Sequence, residues 1–206
     1  MTVLRHQLDT FRKAWDSGYR YEVWRTALAF VILYFIAFGG AMAFPDLRET
    51  IMGYILELFG SMELTDDAGR VSGLLLFANN VQACCMMMFY GLLPYVRFTA
   101  FPLGMNAMLL GILLAHHLTS GLSLPLYLAS LVPHAIFELP ALVLALATGL
   151  FVCGQITRRI RQDETALPFW DCLVHMSRTL ILVTPLLIAA AAVEAHVTPV
   201  IAALFQ

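Results

Sequence analysis

The chain has 206 residues, 60% of them hydrophobic and only 13% charged, with a formal net charge of −2 and a mean hydropathy of +0.79. Soluble domains run about 45–50% apolar and about 25% charged, so this composition excludes a water-soluble globular protein and predicts a polytopic membrane protein with the lipid bilayer as its first partner. The basic residues are dispersed with no basic, aromatic-interleaved patch, which argues against nucleic acid as a partner.

Residues 1–22 read as a cytoplasmic amphipathic segment. Leu4, Leu8, Phe11 and Trp15 follow helical spacing among Arg5, His6, Asp9, Arg12, Lys13 and Asp16, the pattern of a helix lying on a membrane surface or on the bundle's own loops. Residues 23–206 read as a single transmembrane domain, and no cleaved leader is expected because the first apolar run follows a polar start. A spanning helix needs about 20 mostly apolar residues, and five stretches qualify: 24–44, 71–93, 98–117, 133–154 and 173–195. Between the first two, Ile51, Met52, Ile55, Leu58 and Phe59 predict a surface helix, followed by an acidic loop. The segment 124–131 is too short to span, and Pro133 stands where a new helix would begin. Thr198-Pro199 has the form of an N-cap followed by proline at the first helical position, opening the apolar tail 200–205. Both short segments are expected as re-entrant or interfacial helices in the outer leaflet, so the predicted fold is an all-α bundle of about five transmembrane helices with such additions. Lys and Arg concentrate in residues 1–25, at Arg97 and at Arg158, Arg159 and Arg161, which predicts a cytoplasmic N-terminus and an external C-terminus.

Of the fourteen acidic residues, only Glu138 and Glu194 fall inside predicted spans, and both lie toward the outer face. A carboxylate at the centre of a span costs about 2.5–3.5 kcal/mol on insertion scales and so marks a site or a pairing. His134 and Glu138 are four residues apart and share a helix face, which continues through Ala141, Ala145 and Gly149. Small residues on such a stripe predict close packing within the chain or in a homo-oligomer. The same half of the membrane is expected to hold Asn79, Asn80 and His117, with Asn106 deeper and Thr198 just beyond Glu194. Three readings stand: interhelical hydrogen bonding, a binding or translocation cavity, and a metal site drawn from His134, Glu138, Glu194 and His117. Nitrogen and oxygen donors suit zinc or another divalent ion, although no resident cofactor is required by the pattern.

Other signals carry less. Cys84, Cys85, Cys153 and Cys172 lie in or beside apolar runs without zinc spacing and read as small buried hydrophobes. Met86, Met87 and Met88 are adjacent on a helix and point in different directions, so they read as packing. Asp163 and Glu164 belong to a solvated loop, Asp171 is a candidate cap, and Arg178 reaches the headgroups. The chain contains no nucleotide-binding loop, nucleophile elbow or H-E-x-x-H motif.

The order of Phe77-Ala-Asn79-Asn80, Pro102-Leu-Gly104-Met-Asn106, Pro133-His134-x-x-x-Glu138-Leu-Pro140-Ala141 and Glu194-Ala-x-x-Thr198-Pro199 resembles the stage II sporulation protein M family from about residue 71 to 199. The chain departs from the commoner family form at Ala135, where glycine is expected, and at His196, where an apolar or aromatic residue is expected. The resemblance implies a membrane protein of the cell envelope that, in spore formers, organises membrane-attached peptidoglycan hydrolases without cutting the wall itself. It also implies a distant likeness to the membrane subunits of exporters that need a separate ATPase subunit. The leading expectation is therefore a non-enzymatic envelope protein with an outer-leaflet polar cavity for a small molecule, lipid headgroup or partner segment. The alternatives are an intramembrane, metal-dependent hydrolase using His134 and Glu138, and a purely structural scaffold.

Overall fold

The computed structural model describes residues 12, 14–61 (side chains to 57) and 72–205. Most of the predicted N-terminal amphipathic helix and the acidic loop before the second span lie outside the described residues. Within the described residues the fold is all-helical, without strands. A turn kinked at Gly18, Trp15–Tyr19, leads into α1, Arg20–Ala43; then come α2, Pro45–Ser61, α3, Gly73–Phe89, α4, Ala100–Thr119, α5, Leu124–Ile160, α6, Phe169–His196, and the short α7, Thr198–Ala202.

Five helical stretches are long and apolar enough to cross a membrane: Trp15–Ala43, Gly73–Leu92, Ala100–Thr119, Leu124–Ile160 and Phe169–His196. Their outward faces carry Trp24, Leu28, Phe35, Ile36, Leu74, Ile181 and Ile188 at 48% or more exposure, a surface that is unfavourable in water and natural against lipid tails. The chain is thus a multi-pass membrane protein. Short links make sequential spans antiparallel, so one end of the bundle gathers Arg97, Arg158, Arg159 and Arg161, and the opposite end gathers α2 and α7.

The fifth element is the central one. Most of the apolar stretch of α5 is buried, against a third or less in each of the other four spans, and it packs along α6 on one side and against α3 and α1 on others. Ala141, Ala145, Leu146, Ala147 and Val152 on this helix are fully buried. Gly149 lies where a side chain would collide with the Met87 carbonyl and with Thr99, whose Oγ1 and Cγ2 lie 2.7 and 2.8 Å from the position of a Cβ. The small-residue stripe is thus taken up by packing inside one chain. Across the bundle α1 packs along α4, with Gly111 admitting the Tyr34 and Phe38 backbone. As expected, α2 is a surface helix: Met52 is buried, and Ile51 and Ile55 pack with it on Ala37, Ala41, Ile112 and Ala115. Arg48 secures it to α1 by donating to the Ala41 carbonyl at 3.3 Å, and Glu49, next to it in α2, accepts from the same guanidinium at 3.1 Å.

Two expectations about the short segments need correction. Residues 124–131 form the first turns of α5, which runs unbroken through Pro133 and Pro140. The start signal is Ser123, whose Oγ accepts from the Leu126 amide at 3.3 Å, with Pro125 in the first turn. An irregular break near Pro133 would leave several backbone groups unpaired in hydrocarbon, whereas continuing the helix forfeits one hydrogen bond per proline. At about 1.5 Å per residue the 37-residue helix is ~55 Å long, well beyond the ~30 Å hydrocarbon layer. The second correction concerns Thr198. It begins α7 but makes no capping bond, the preceding cap position being Val197; its buried hydroxyl faces His134 instead. Asp171 likewise lies in the first turn of α6 and is not its cap.

Candidate polar site between the spans

The site is built on one face of α5. Tyr127, Ser130, His134 and Glu138 follow one another at intervals of three, four and four residues, so they form a single stripe, and all line a partly open cavity of about 460 Å³. From α3 come Asn79 and Asn80, from α4 Asn106 and His117, and from α6 Glu194. Leucines fill the remaining wall, including Leu76, Leu110, Leu113 and Leu142. Of the sequence-predicted site residues, seven therefore meet around one space. Thr198 stands behind His134.

Tyr127, Ser130, Asn106 and His117 are each held by a bond to a backbone carbonyl. Tyr127 donates to the Leu110 carbonyl at 3.2 Å and Ser130 to the Leu126 carbonyl at 2.9 Å. Asn106 donates its amide to the Pro102 carbonyl at 2.8 Å. His117 Nε2 lies 2.9 Å from the Ser123 carbonyl, so that nitrogen carries the proton and donates. His116, next to it, turns the other way toward Glu49, 3.7 Å from Nδ1. His196 opens onto a different groove with Gly73 and Phe77. Ala135 is buried on the cavity wall, where its methyl group is accommodated by packing.

At the centre are His134, Glu138 and Glu194. One ligand atom from each lies within 4.8 Å of the others, and each residue is partly buried. His134 Nε2 is 4.0 Å from Glu138 Oε2, and its Nδ1 is 3.4 Å from Thr198 Oγ1. Two carboxylates at such a separation repel by on the order of 3–4 kcal/mol at an effective dielectric of about 20. Among the described residues lining the cavity there is no Lys or Arg; a proton or a cation must supply the compensating charge.

The family profile of stage II sporulation protein M matches residues 26–199. The chain belongs to the stage II sporulation protein M family. The match spans α1 to the start of α7 and so includes every residue of the polar constellation. No match was found among curated proteins or among solved structures. Of the residues that carried the sequence resemblance, Asn79, Asn80, Asn106, His134, Glu138 and Glu194 converge on the cavity.

The sequence reading missed Tyr127 and Ser130. Their signal was the stripe itself, hidden by dividing α5 at Pro133. It also missed a second buried polar network at the arginine-rich end, where Tyr19 donates to the Leu144 carbonyl at 3.3 Å and accepts from Thr148 at 3.1 Å. Thr179 Oγ1 lies 3.0 Å from Thr148, and the His175 ring packs edge-on to Tyr19 with centroids 4.4 Å apart. This network ties the segment entering α1 to α5 and α6, which is a packing role. The methionine run behaves as packing too: Met87 and Met88 are buried and Met86 faces outward. All four cysteines are unpaired thiols.

Proposed function

We propose that this family member is a non-enzymatic component of the cell envelope whose polar cavity receives a small polar molecule or lipid headgroup at the outer half of the membrane. The observation that carries the reading is the convergence of polar side chains from four spans on one cavity. Its volume falls in the range of about 300–1,000 Å³ typical of small-ligand sites, and its mixture of leucine walls with few convergent polar groups is typical as well. Interhelical hydrogen bonding alone is a weak reason to place two carboxylates there, since such bonds average only about 0.6 kcal/mol. The excess of arginine at the opposite end supports an external position for the cavity. In this reading a separate ATPase subunit would drive passage of the ligand, or a membrane-attached peptidoglycan hydrolase would be positioned by it.

The test is native mass spectrometry of the protein released from nanodiscs formed with its host's own lipids. The wild type is expected to retain a bound lipid or small molecule that Leu113→Trp, filling the cavity from its apolar wall, excludes while the chain stays folded. Equal retention by both proteins, or none by the wild type, contradicts the reading and leaves a structural scaffold. Hydrolysis with Glu138 as general base is the competing reading favoured by its contact with His134; it requires turnover of the retained molecule that Glu138→Gln abolishes.

A further inference from the structure

We infer that His134, Glu138 and Glu194 form a binding site for a zinc-class divalent cation, with an open coordination position facing the cavity. This goes beyond the ligand-binding reading and does not depend on it.

Three observations carry the assignment. First, the donors are one imidazole and two carboxylates from two different helices, all within 4.8 Å of one another. One nitrogen and two oxygens are donors suited to zinc. The pair on α5 has the i, i+4 spacing that places two ligands side by side on a helix. Around an ion with ligands at about 2.0–2.1 Å, tetrahedral donors stand roughly 3.3 Å apart, a contraction that rotation of the two glutamate side chains supplies.

Second, the orientation of His134 divides the two nitrogens as a ligand histidine requires. Nε2 faces Glu138 and the centre of the cluster, while Nδ1 faces the buried Thr198 hydroxyl. A metal-bound imidazole normally donates its other N–H to such an oxygen, which fixes its tautomer and ring plane. Thr198, which begins α7 without capping it, is thus a positioning residue for the ligand imidazole, and α7 becomes the element that holds it there.

Third, the cluster is charge-unbalanced. Its two carboxylates face an imidazole, and none of the lining residues among those described is Lys or Arg. A divalent cation neutralises both carboxylates together. Three protein donors leave a tetrahedral ion one position short, the arrangement of sites that take an exchangeable ligand. Asn79, Asn80 and Asn106 line the same cavity, where amide groups would hold a water or an anionic oxygen beside the ion.

The experiment is a zinc titration of the full chain in mild detergent after chelator stripping, read by elemental analysis after desalting, with thermal unfolding recorded on every sample. The expected result is about one zinc per folded chain at micromolar metal, weakened at least about tenfold by Glu138→Gln and by Glu194→Gln. Thr198→Val, which conserves shape, should weaken zinc by roughly 10–100-fold with unfolding unchanged in the stripped protein; it decides the matter if either triad variant fails to fold. His196→Ala, facing another groove, should bind as the wild type does. Folded wild type that takes up no zinc, or uptake undiminished in the folded variants, overturns the site. The same samples examined for a retained lipid or small molecule separate the two readings, because ligand without metal leaves the cavity reading standing and metal without ligand leaves the site standing.

Discussion

Asp163, in the link between α5 and α6, shows at the scale of one side chain how this protein fixes its solvent-exposed turns. Its carboxylate accepts from the Thr165 amide at 2.9 Å and hydroxyl at 2.6 Å, and from Arg158 Nε at 2.8 Å. The Thr165 hydroxyl first, and the Arg158 guanidinium next, hold its pKa down at about 2. The unfolded value is about 3.9, so the charged form is favoured by folding. That contribution is present in full above about pH 4 and is lost as pH falls toward about 2. Asp163→Asn should therefore lower the unfolding temperature slightly at neutral pH, with the gap between variant and wild type closing below about pH 4. A gap that persists unchanged through that range would show that the carboxylate's charge is irrelevant to the turn. In the polar site the residue-scale reading was legible where spacing alone decides: His134 and Glu138 share a face because they are four apart. Thr198 was legible as a member of the site, yet its role was not, since only the tertiary fold turns its hydroxyl to His134.

At the scale of elements, α5 decides most of what the bundle does. Its small residues admit the neighbouring backbones, and its polar stripe supplies four cavity side chains. Packing is tight at Gly149, with Met87 and Thr99 against it and Gly91 facing it. Gly149→Ala adds one methyl group that backbone must move to accept, and overpacking of this kind costs about 1–3 kcal/mol; the unfolding temperature in detergent should fall clearly. An unchanged temperature would mean that the helices are not held this closely. The five spans were readable because hydropathy and length are nearly sufficient for helices in lipid. The start of α5 was not, because a proline signals both a helix start and a tolerated break within a membrane span. Ser123 with Pro125 carried the correct start, and the choice between the two prolines depends on contacts that residues 124–131 make only after folding. That single boundary kept Tyr127 and Ser130 out of the predicted site.

At the scale of the whole molecule, the two ends of the bundle differ in kind. One end carries arginines and the Tyr19–Thr148–Thr179 network, which closes it. The other carries α2, α7 and the polar cavity between spans. Family membership and the spans fix the protein as a multi-pass stage II sporulation protein M relative, and the depth match of Glu138 with Glu194 was visible in sequence as two independent runs ending at one level. Their actual meeting was not, because sequence spacing says nothing about which face of α6 turns toward α5. In the proposed function the polar cavity is reachable from the external face. It is tested most directly by placing one cysteine at Ser130 in a variant with the four native cysteines replaced, and treating intact cells with a membrane-impermeant maleimide. Labelling without permeabilisation, suppressed when Leu113→Trp fills the cavity, is the predicted result; labelling only after the cells are opened would place the cavity on the other side of the membrane and contradict the account.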